Sequence, residues 1–486
     1  MRRIVFSVFL SQLIFFANAQ TKTAVKNSST TEKRVSESGY NIPVTITPYK
    51  NCWVYLATYY GKYKNLVDST WFDANSKGVF KGDKKLPGGI YFLVSPEKTT
   101  QLFEVLMDEK QHFSIVADTS SLENVTITGS AENTLFQDYT KYLSKNVPQL
   151  TALQNQLKSA GKTDSVKIQE QIKALNKNLN DYRGNIVKSN PNSMLALFFN
   201  AVKRPEVETK AGEEYPYYYV REHYWDDVSF NDDRLLHTPF FDPKLEEYFK
   251  YYVSPEPDSI IAEVNYMLLS ARTSNEMFKY LLGRFTDKYI NPEIMGQDKV
   301  FLFLFDNYYS KGDTSWLTKS QKEFIFNRAY SLIANQIGEP APTLDLIDTL
   351  GKPRPLYSVE APFTFVLFWD PTCSHCKVEV PRVDSIYNAK WKAEGVKIYA
   401  VNVADETLNT WKKYISENKL NNWIHVYQPK EIRKKEEAEG KPNFRQLYDV
   451  FQTPTMYLLD KNKHIIAKRL SIEQFDELMH AKSKKQ

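Results

Sequence analysis

The stretch "FTFVLFWDPTCSHCKVEVP", residues 363 to 381, decides the fold of the C-terminal third of the chain. Its first part is a short, aromatic-rich apolar run bounded by Asp370-Pro371, the pattern of a fully buried strand. The residues after that boundary read as a helix, and Cys373 falls where strand hands over to helix. The unpaired N–H groups and positive end of a helix favour a thiolate over a thiol at such a place. Cys376 lies one helical turn later on the same side. A structural zinc site needs four Cys or His ligands, usually in two close pairs. The third cysteine, Cys52, is isolated and the seven histidines are scattered singly, so no second pair exists. A structural disulfide closing so small a loop removes little entropy from the unfolded chain. The reading that remains is a redox pair, with Cys373 as nucleophile and Cys376 resolving the mixed disulfide. His375, between them, is a candidate stabiliser of the thiolate, or else an exposed histidine at the helix start without redox effect.

Across the surrounding residues the spacing predicts a strand at 364 to 369, a helix from 374 to 394 closed by Gly395, and a strand at 396 to 403. A helix at 406 to 417, a strand at 423 to 428 and a helix near 443 to 450 come next. Strands at 455 to 459 and 464 to 469 flank the turn Asp460-Lys461-Asn462-Lys463, and a helix at 471 to 482 ends the region. Strands and helices in this order imply an α/β layer structure with a mixed sheet. Its start is set near 337 by "IGEPAPTLDLIDTLGKPRP", whose prolines and glycines break the preceding helical pattern.

The pattern Cys373-x-x-Cys376-x-x-Glu379-x-Pro381 after an aromatic strand resembles thioredoxin-like proteins of the TlpA/ResA type. "FQTPTMYLLDKNKHIIAKRL", residues 451 to 470, is similar to the segment of that family in which a cis-proline opens a strand opposite the active site. The resemblance covers about 337 to 486 and implies a thioredoxin-like fold with Pro454 as the cis-proline, Thr453 before it, and a loop that presents backbone groups to an extended substrate. It also implies that Glu379 is an acid near the thiols, able if buried to pass protons to Cys376; the other reading of the residue is an exposed charge on the helix. Two departures stand out. Thr372 replaces the tryptophan common before the first cysteine, leaving Trp369 as the residue to cover part of that role, and the intervening dipeptide is Ser374-His375. Stabilising the thiolate stabilises the reduced form, which predicts a centre less reducing than thioredoxin and leaves reductase, oxidase and isomerase as open directions.

Upstream, residues 39 to 130 alternate in short β-type runs between turn signals, predicting an antiparallel β-sandwich. Cys52 shares a strand face with Val54 and Leu56, as a buried unpaired thiol would. From 133 to 336 the period lengthens to that of helices, beginning with a hairpin broken at Ala160-Gly161. The helix predicted at 320 to 336 opens with Ser320-Gln321-Lys322-Glu323, a capping-box pattern. The aromatic-dense segment 215 to 249 reads as core between helices rather than a binding surface. The whole is a multidomain chain: N-terminal sandwich, central all-α region, C-terminal α/β thioredoxin-like fold.

The first residues carry Arg2 and Arg3, an apolar stretch from Ile4 to Phe16, and Ala17-Asn18-Ala19, the pattern of a secretory signal peptide ending at 19, with a polar linker over 20 to 38. No later apolar segment has the length of a membrane span. The expected location is the periplasm or cell envelope. A formal net charge of +5 on 486 residues, without a basic stripe, makes nucleic acid a poor partner. The expected partners are a protein disulfide substrate and an electron donor of unknown identity. No metal and no cofactor are expected beyond a redox-active Cys373–Cys376 disulfide. The rival reading is an envelope binding or scaffold protein whose cysteine pair is structural or redox-sensing.

Overall fold

The computed structural model describes residues 39–205, 207 and 216–483; the expected signal peptide and linker lie outside the described residues. Two compact units emerge. One takes the chain up to Val253 together with Ser270–Phe278, and the other takes Ser254–Leu269 and the chain from Lys279 onward.

The first unit begins with strands β1 (Tyr40–Thr47), β2 (Cys52–Tyr60), β3 (Tyr63–Phe72), β4 (Lys77–Gly82), β5 (Gly89–Val94), β6 (Gln101–Met107), β7 (Ser114–Asp118) and β8 (Thr126–Thr128). They form two four-stranded sheets ordered β4-β1-β7-β8 and β3-β2-β5-β6, antiparallel throughout except for the β1/β7 pair. Period-two alternation turns Ile42, Val44 and Ile46 of β1 toward Val54, Leu56, Leu93 and Val105 of the other sheet, which closes a single core. Helices α1 (Ala131–Ser159), α2 (Lys162–Ser189), α3 (Met194–Val202), α4 (Tyr217–His223) and α5 (Phe241–Tyr251) come after the sandwich. The buried Asn133 side chain accepts from Leu106 N and donates to Leu106 O, both at 2.8 Å, so α1 satisfies backbone groups of edge strand β6. Across the α1/α2 hairpin, Tyr142 and Tyr182 stack at 3.8 Å. In the described part of the aromatic segment, Tyr224, Trp225, Phe230, Phe241 and Tyr248 are buried, whereas Tyr218 and Tyr219 are exposed.

Helices α6 (Pro257–Ser270), α7 (Asn275–Tyr289), α8 (Asp298–Leu304) and α9 (Lys319–Ile333) come next. The capping box of α9 is built two residues earlier than the sequence pattern suggests. Thr318, still in extended backbone, is the N-cap and pairs reciprocally with Gln321, while Ser320 already lies inside the first turn.

In the second unit, β9 (Ile347–Asp348), β10 (Thr364–Trp369), β11 (Lys397–Asn402), β12 (Ile424–Tyr427), β13 (Thr455–Leu459) and β14 (Ile465–Lys468) form one mixed sheet. Its order is β14-β13-β10-β11-β12-β9. Helices α10 (Ser374–Ile386), α11 (Leu408–Glu417), α12 (Lys430–Ala438), α13 (Phe444–Leu447) and α14 (Ile472–Ser483) complete it. β10 runs parallel to β11 and antiparallel to β13, and all six of its residues are buried. Phe365, Leu367 and Trp369 face a core with Val380 and Val383 of α10 and Phe475 of α14, while Val366 and Phe368 face Tyr448 and Tyr457. Each such side chain contributes about 1.5–3 kcal/mol by leaving water.

The helices preceding 337 are tied to this sheet by buried polar groups. Lys468 Nζ, at the end of β14, donates to Asp298 Oδ2 at 2.6 Å and to Asn335 O and Oδ1 at 2.8 Å. Asn335 Nδ2 in turn donates to Leu447 O at 2.9 Å. Each donor of the buried ammonium has an acceptor, the condition under which a buried charge is tolerated.

Candidate active site

Cys373 is the N-cap of α10, directly beyond the end of β10. The turn that delivers it is built by Asp370, whose Oδ1 accepts from Thr372 N at 2.8 Å and from Thr372 Oγ1 at 2.7 Å, while Asp370 O accepts from Cys373 N at 3.2 Å. This is an aspartate satisfying its own turn, and it fixes the direction in which α10 starts. Asp370 is a site residue that the cysteine spacing does not flag; the short Asp-x-Thr pattern is its only sequence signal.

Facing the cysteines is the loop that enters β13. The Thr453–Pro454 peptide bond is cis, and Cys373 Sγ lies 3.3 Å from Thr453 O. β13 is pinned to β10, with Thr455 opposite Phe368, so the strand that leads into the cysteines also fixes the loop opposite them.

The two thiols differ in environment. Cys373 is half-buried; burial pushes its thiol up, but the Thr453 hydroxyl, the Cys376 N–H and thiol and the His375 N–H favour the thiolate more, and the net pKa is lowered. The Thr453 carbonyl contact acts the other way, since a carbonyl can only accept from the protonated thiol. Cys376 is 1% exposed, and burial pushes it up to about 12, with the neighbouring Cys373 adding to the rise. Both sulfurs are free thiols. The arrangement sets an accessible sulfur with a lowered pKa beside a covered one whose pKa is raised.

Ser374 and His375 are exposed in the first turn of α10, and His375 acts on Cys373 through its backbone N–H. Trp369 is fully buried, in the same core as Cys376 and edge-on to Tyr414 at 5.3 Å. It therefore does not present a substrate-facing surface, because odd-numbered residues of β10 point into the core beneath α10. Glu379 is half-buried rather than buried, and Arg382 donates to it at 2.6 Å. Among the described residues no hydrogen bond joins Glu379 to either sulfur. Cys52 is half-buried at the start of β2 and packs against the sandwich core. Among the described residues no group of three or more His, Cys, Asp or Glu is arranged to hold a metal ion.

Two grooves adjoin the loop. One, of about 500 Å³, is lined by Asp370, Thr372, Ala404, Lys430, Arg445 and Thr453. The other, of about 600 Å³, is lined by Glu379, Arg382, Pro454 and Arg469 together with Asn291 and Arg328. Phe451 and Gln452 border both.

Comparison with known proteins agrees with this geometry. Residues 337–468 match the AhpC/TSA family, residues 40–136 match a domain of unknown function, DUF4369, and residues 160–333 match another, DUF5106. The thiol-disulfide oxidoreductase ResA of Bacillus thuringiensis (strain Al Hakam) is 30% identical over 143 residues, 29% of this chain and 75% of its own length. The chain belongs to the ResA-type thiol-disulfide oxidoreductases. ResA of Bacillus cereus is 29% identical over 143 residues, again 75% of its length. Among solved structures, a domain of a possible thiol-disulfide isomerase from Cytophaga hutchinsonii is 35% identical, covers 31% of this chain and 94% of its own, and has a TM-score of 0.27. Membership fixes the enzyme class, thiol-disulfide oxidoreductase with a thioredoxin-like domain. The stretches matched by DUF4369 and DUF5106 lie outside the one matched by the AhpC/TSA family.

Proposed function

We propose that the chain is an exported oxidoreductase that reduces protein disulfides, with Cys373 as nucleophile and Cys376 as resolving thiol. The observation that carries this reading is the asymmetry of the pair: Cys373 partly open at a helix start with donors around its sulfur, Cys376 covered and held protonated. The Cys373 thiolate attacks one sulfur of a substrate disulfide, forming a mixed disulfide and releasing the other sulfur as a thiolate that takes up a proton. Cys376 then gives up its proton and attacks Cys373 Sγ. The second substrate sulfur leaves, the pair closes as a Cys373–Cys376 disulfide, and two electrons have passed to the substrate. A dithiol donor of unknown identity returns them, and no further cofactor is needed. Trp369 supports Cys376 from within the core, and Ser374 and His375 shape the exposed rim of the site. Glu379 is the acid assigned to pass protons toward Cys376, and Thr453 and Pro454 receive the substrate backbone.

Export to the periplasm or cell envelope is supported by Arg2, Arg3 and the Ile4–Phe16 stretch ahead of Ala17-Asn18-Ala19. No helix among the described residues is long and apolar enough to cross a membrane. The family resemblance suggests cytochrome c maturation as one pathway for the electrons. A Cys376→Ser variant tests the reading. It should accumulate mixed disulfides through Cys373 that thiol reagents release, and the absence of any trapped partner would favour a scaffold role.

A further inference from the structure

Phe451 is 73% exposed and stands between the two grooves, three residues before the cis-proline. A ring so exposed would ordinarily sample several rotamers. Here the guanidinium of Arg328 lies over it, 5.7 Å from the ring centroid. Arg328 is only 6% exposed. Its Nη1 donates to the buried carboxylate of Asp449, and its Nε donates to Ile290 O at 3.3 Å. Arg469 also pairs with Asp449. One side chain of α9 therefore grips the loop twice, through the carboxylate at residue 449 and the ring at residue 451. Asn291 lines the same groove. Residues 290, 291 and 328 all belong to the stretch matched by DUF5106 and lie outside that matched by the AhpC/TSA family.

We propose that Arg328 is a positioning residue that fixes Phe451 as an aromatic anchor for a polypeptide lying across the two grooves, so that the helical region sets which disulfide-bearing chains are accepted. The assignment rests on the reading of Cys373 as nucleophile but concerns recognition, not the thiol chemistry. Thr453 and Pro454, which adjoin the sulfur, lead into β13, whose residues are all buried and paired to β10. Asp449 and Phe451 are instead held by Arg328 of α9, with Arg469 sharing the Asp449 carboxylate. Loosening the grip should move the anchor and leave the thiolate where it is.

The test compares two substrates in the full chain: hydroxyethyl disulfide, which has neither a peptide backbone nor a ring to engage the anchor, and the disulfide-linked dimer of a hexapeptide whose cysteine is flanked by aromatic residues. Arg328→Met is expected to raise KM for the peptide about ten-fold while the rate with hydroxyethyl disulfide stays within about two-fold. Arg328→Lys, which keeps the charge but not the planar fork, should recover part of the loss. Phe451→Ala should reproduce the peptide effect, and the double variant Arg328→Met/Phe451→Ala should be no worse than either alone, because both remove the same anchor. Equal losses on both substrates, no loss on either, or full additivity in the double variant would overturn the assignment. A wild-type chain that reacts with neither disulfide would overturn the functional reading itself, and this assignment with it.

Discussion

Cys52 in the sandwich and Cys373 in the thioredoxin-like domain are both half-buried, unpaired thiols, and burial acts on both in the same direction. They nevertheless end on opposite sides of an ordinary cysteine. Cys52 opens a strand whose backbone groups are committed to β3, and burial followed by the charge of Glu97 leaves its thiol raised. Cys373 opens a helix, where N–H groups without helical partners and the Thr453 hydroxyl outweigh the same burial. At comparable exposure, the donors that converge on the sulfur decide the direction in which its pKa moves.

Replacing sulfur by oxygen breaks the comparison most severely. Cys373→Ser should lower disulfide turnover by about a thousand-fold or more, since the nucleophile is gone, whereas Cys52→Ser should leave it within about two-fold. Turnover with hydroxyethyl disulfide measures both, and comparable losses would mean that the sandwich cysteine takes part. Thr453→Val removes one donor and keeps the side-chain shape. A hydrogen bond to a charged group contributes about 1.5–3 kcal/mol, so the thiolate fraction of Cys373 below its pKa should fall about ten-fold or more, read from thiolate absorbance during titration.

The pH profile of alkylation sharpens the contrast without mutation. Cys373, with its lowered pKa, should react with iodoacetamide at a lower pH than free cysteine, and Cys52 only at a higher one. The linked stabilities have opposite signs. The Cys373 thiolate contributes stability that is fully present above the pKa of an unfolded thiol and is lost as pH falls through the folded value. Cys52 contributes stability that is present below the unfolded pKa and is lost as pH rises through its raised folded value. Mass-spectrometric mapping of alkylation across a pH series distinguishes the two sites, and a common midpoint would remove the distinction. The smallest effect is expected at Glu379. Because its carboxylate is engaged by Arg382, Glu379→Gln should slow release of the mixed disulfide by no more than about three-fold, in stopped-flow measurements of the second step.

The centre of the C-terminal domain is legible in the sequence because its signals are local. β10 is a continuous apolar run, Cys373 and Cys376 are spaced by one helical turn, and Pro454 heads a strand with a clear turn after it. α12 escapes a sequence reading, since "KEIRKKEEA" has no buried residue and hence no apolar period to detect. The orientation of Trp369 needs the sheet itself: whether the last residue of a buried strand faces solvent or core depends on the helix that covers it. Arg328 and Asp449 are 121 residues apart in the chain and carry no mutual signal. Such a pair becomes visible only when the fold brings its two ends together.

That separation bears on biosynthesis. β10 sits between β11 and β13, and β13 is made only after α10 to α13 and two intervening strands. Asp298 of α8 and Arg328 of α9 leave the ribosome earlier still, before their partners Lys468 and Asp449 exist. The sandwich and its first helices can condense during translation, but the sheet that carries the site must wait for β13, with the buried strand β10 incompletely paired in the interval. That interval is where a nascent chain of this design is most open to chaperone capture.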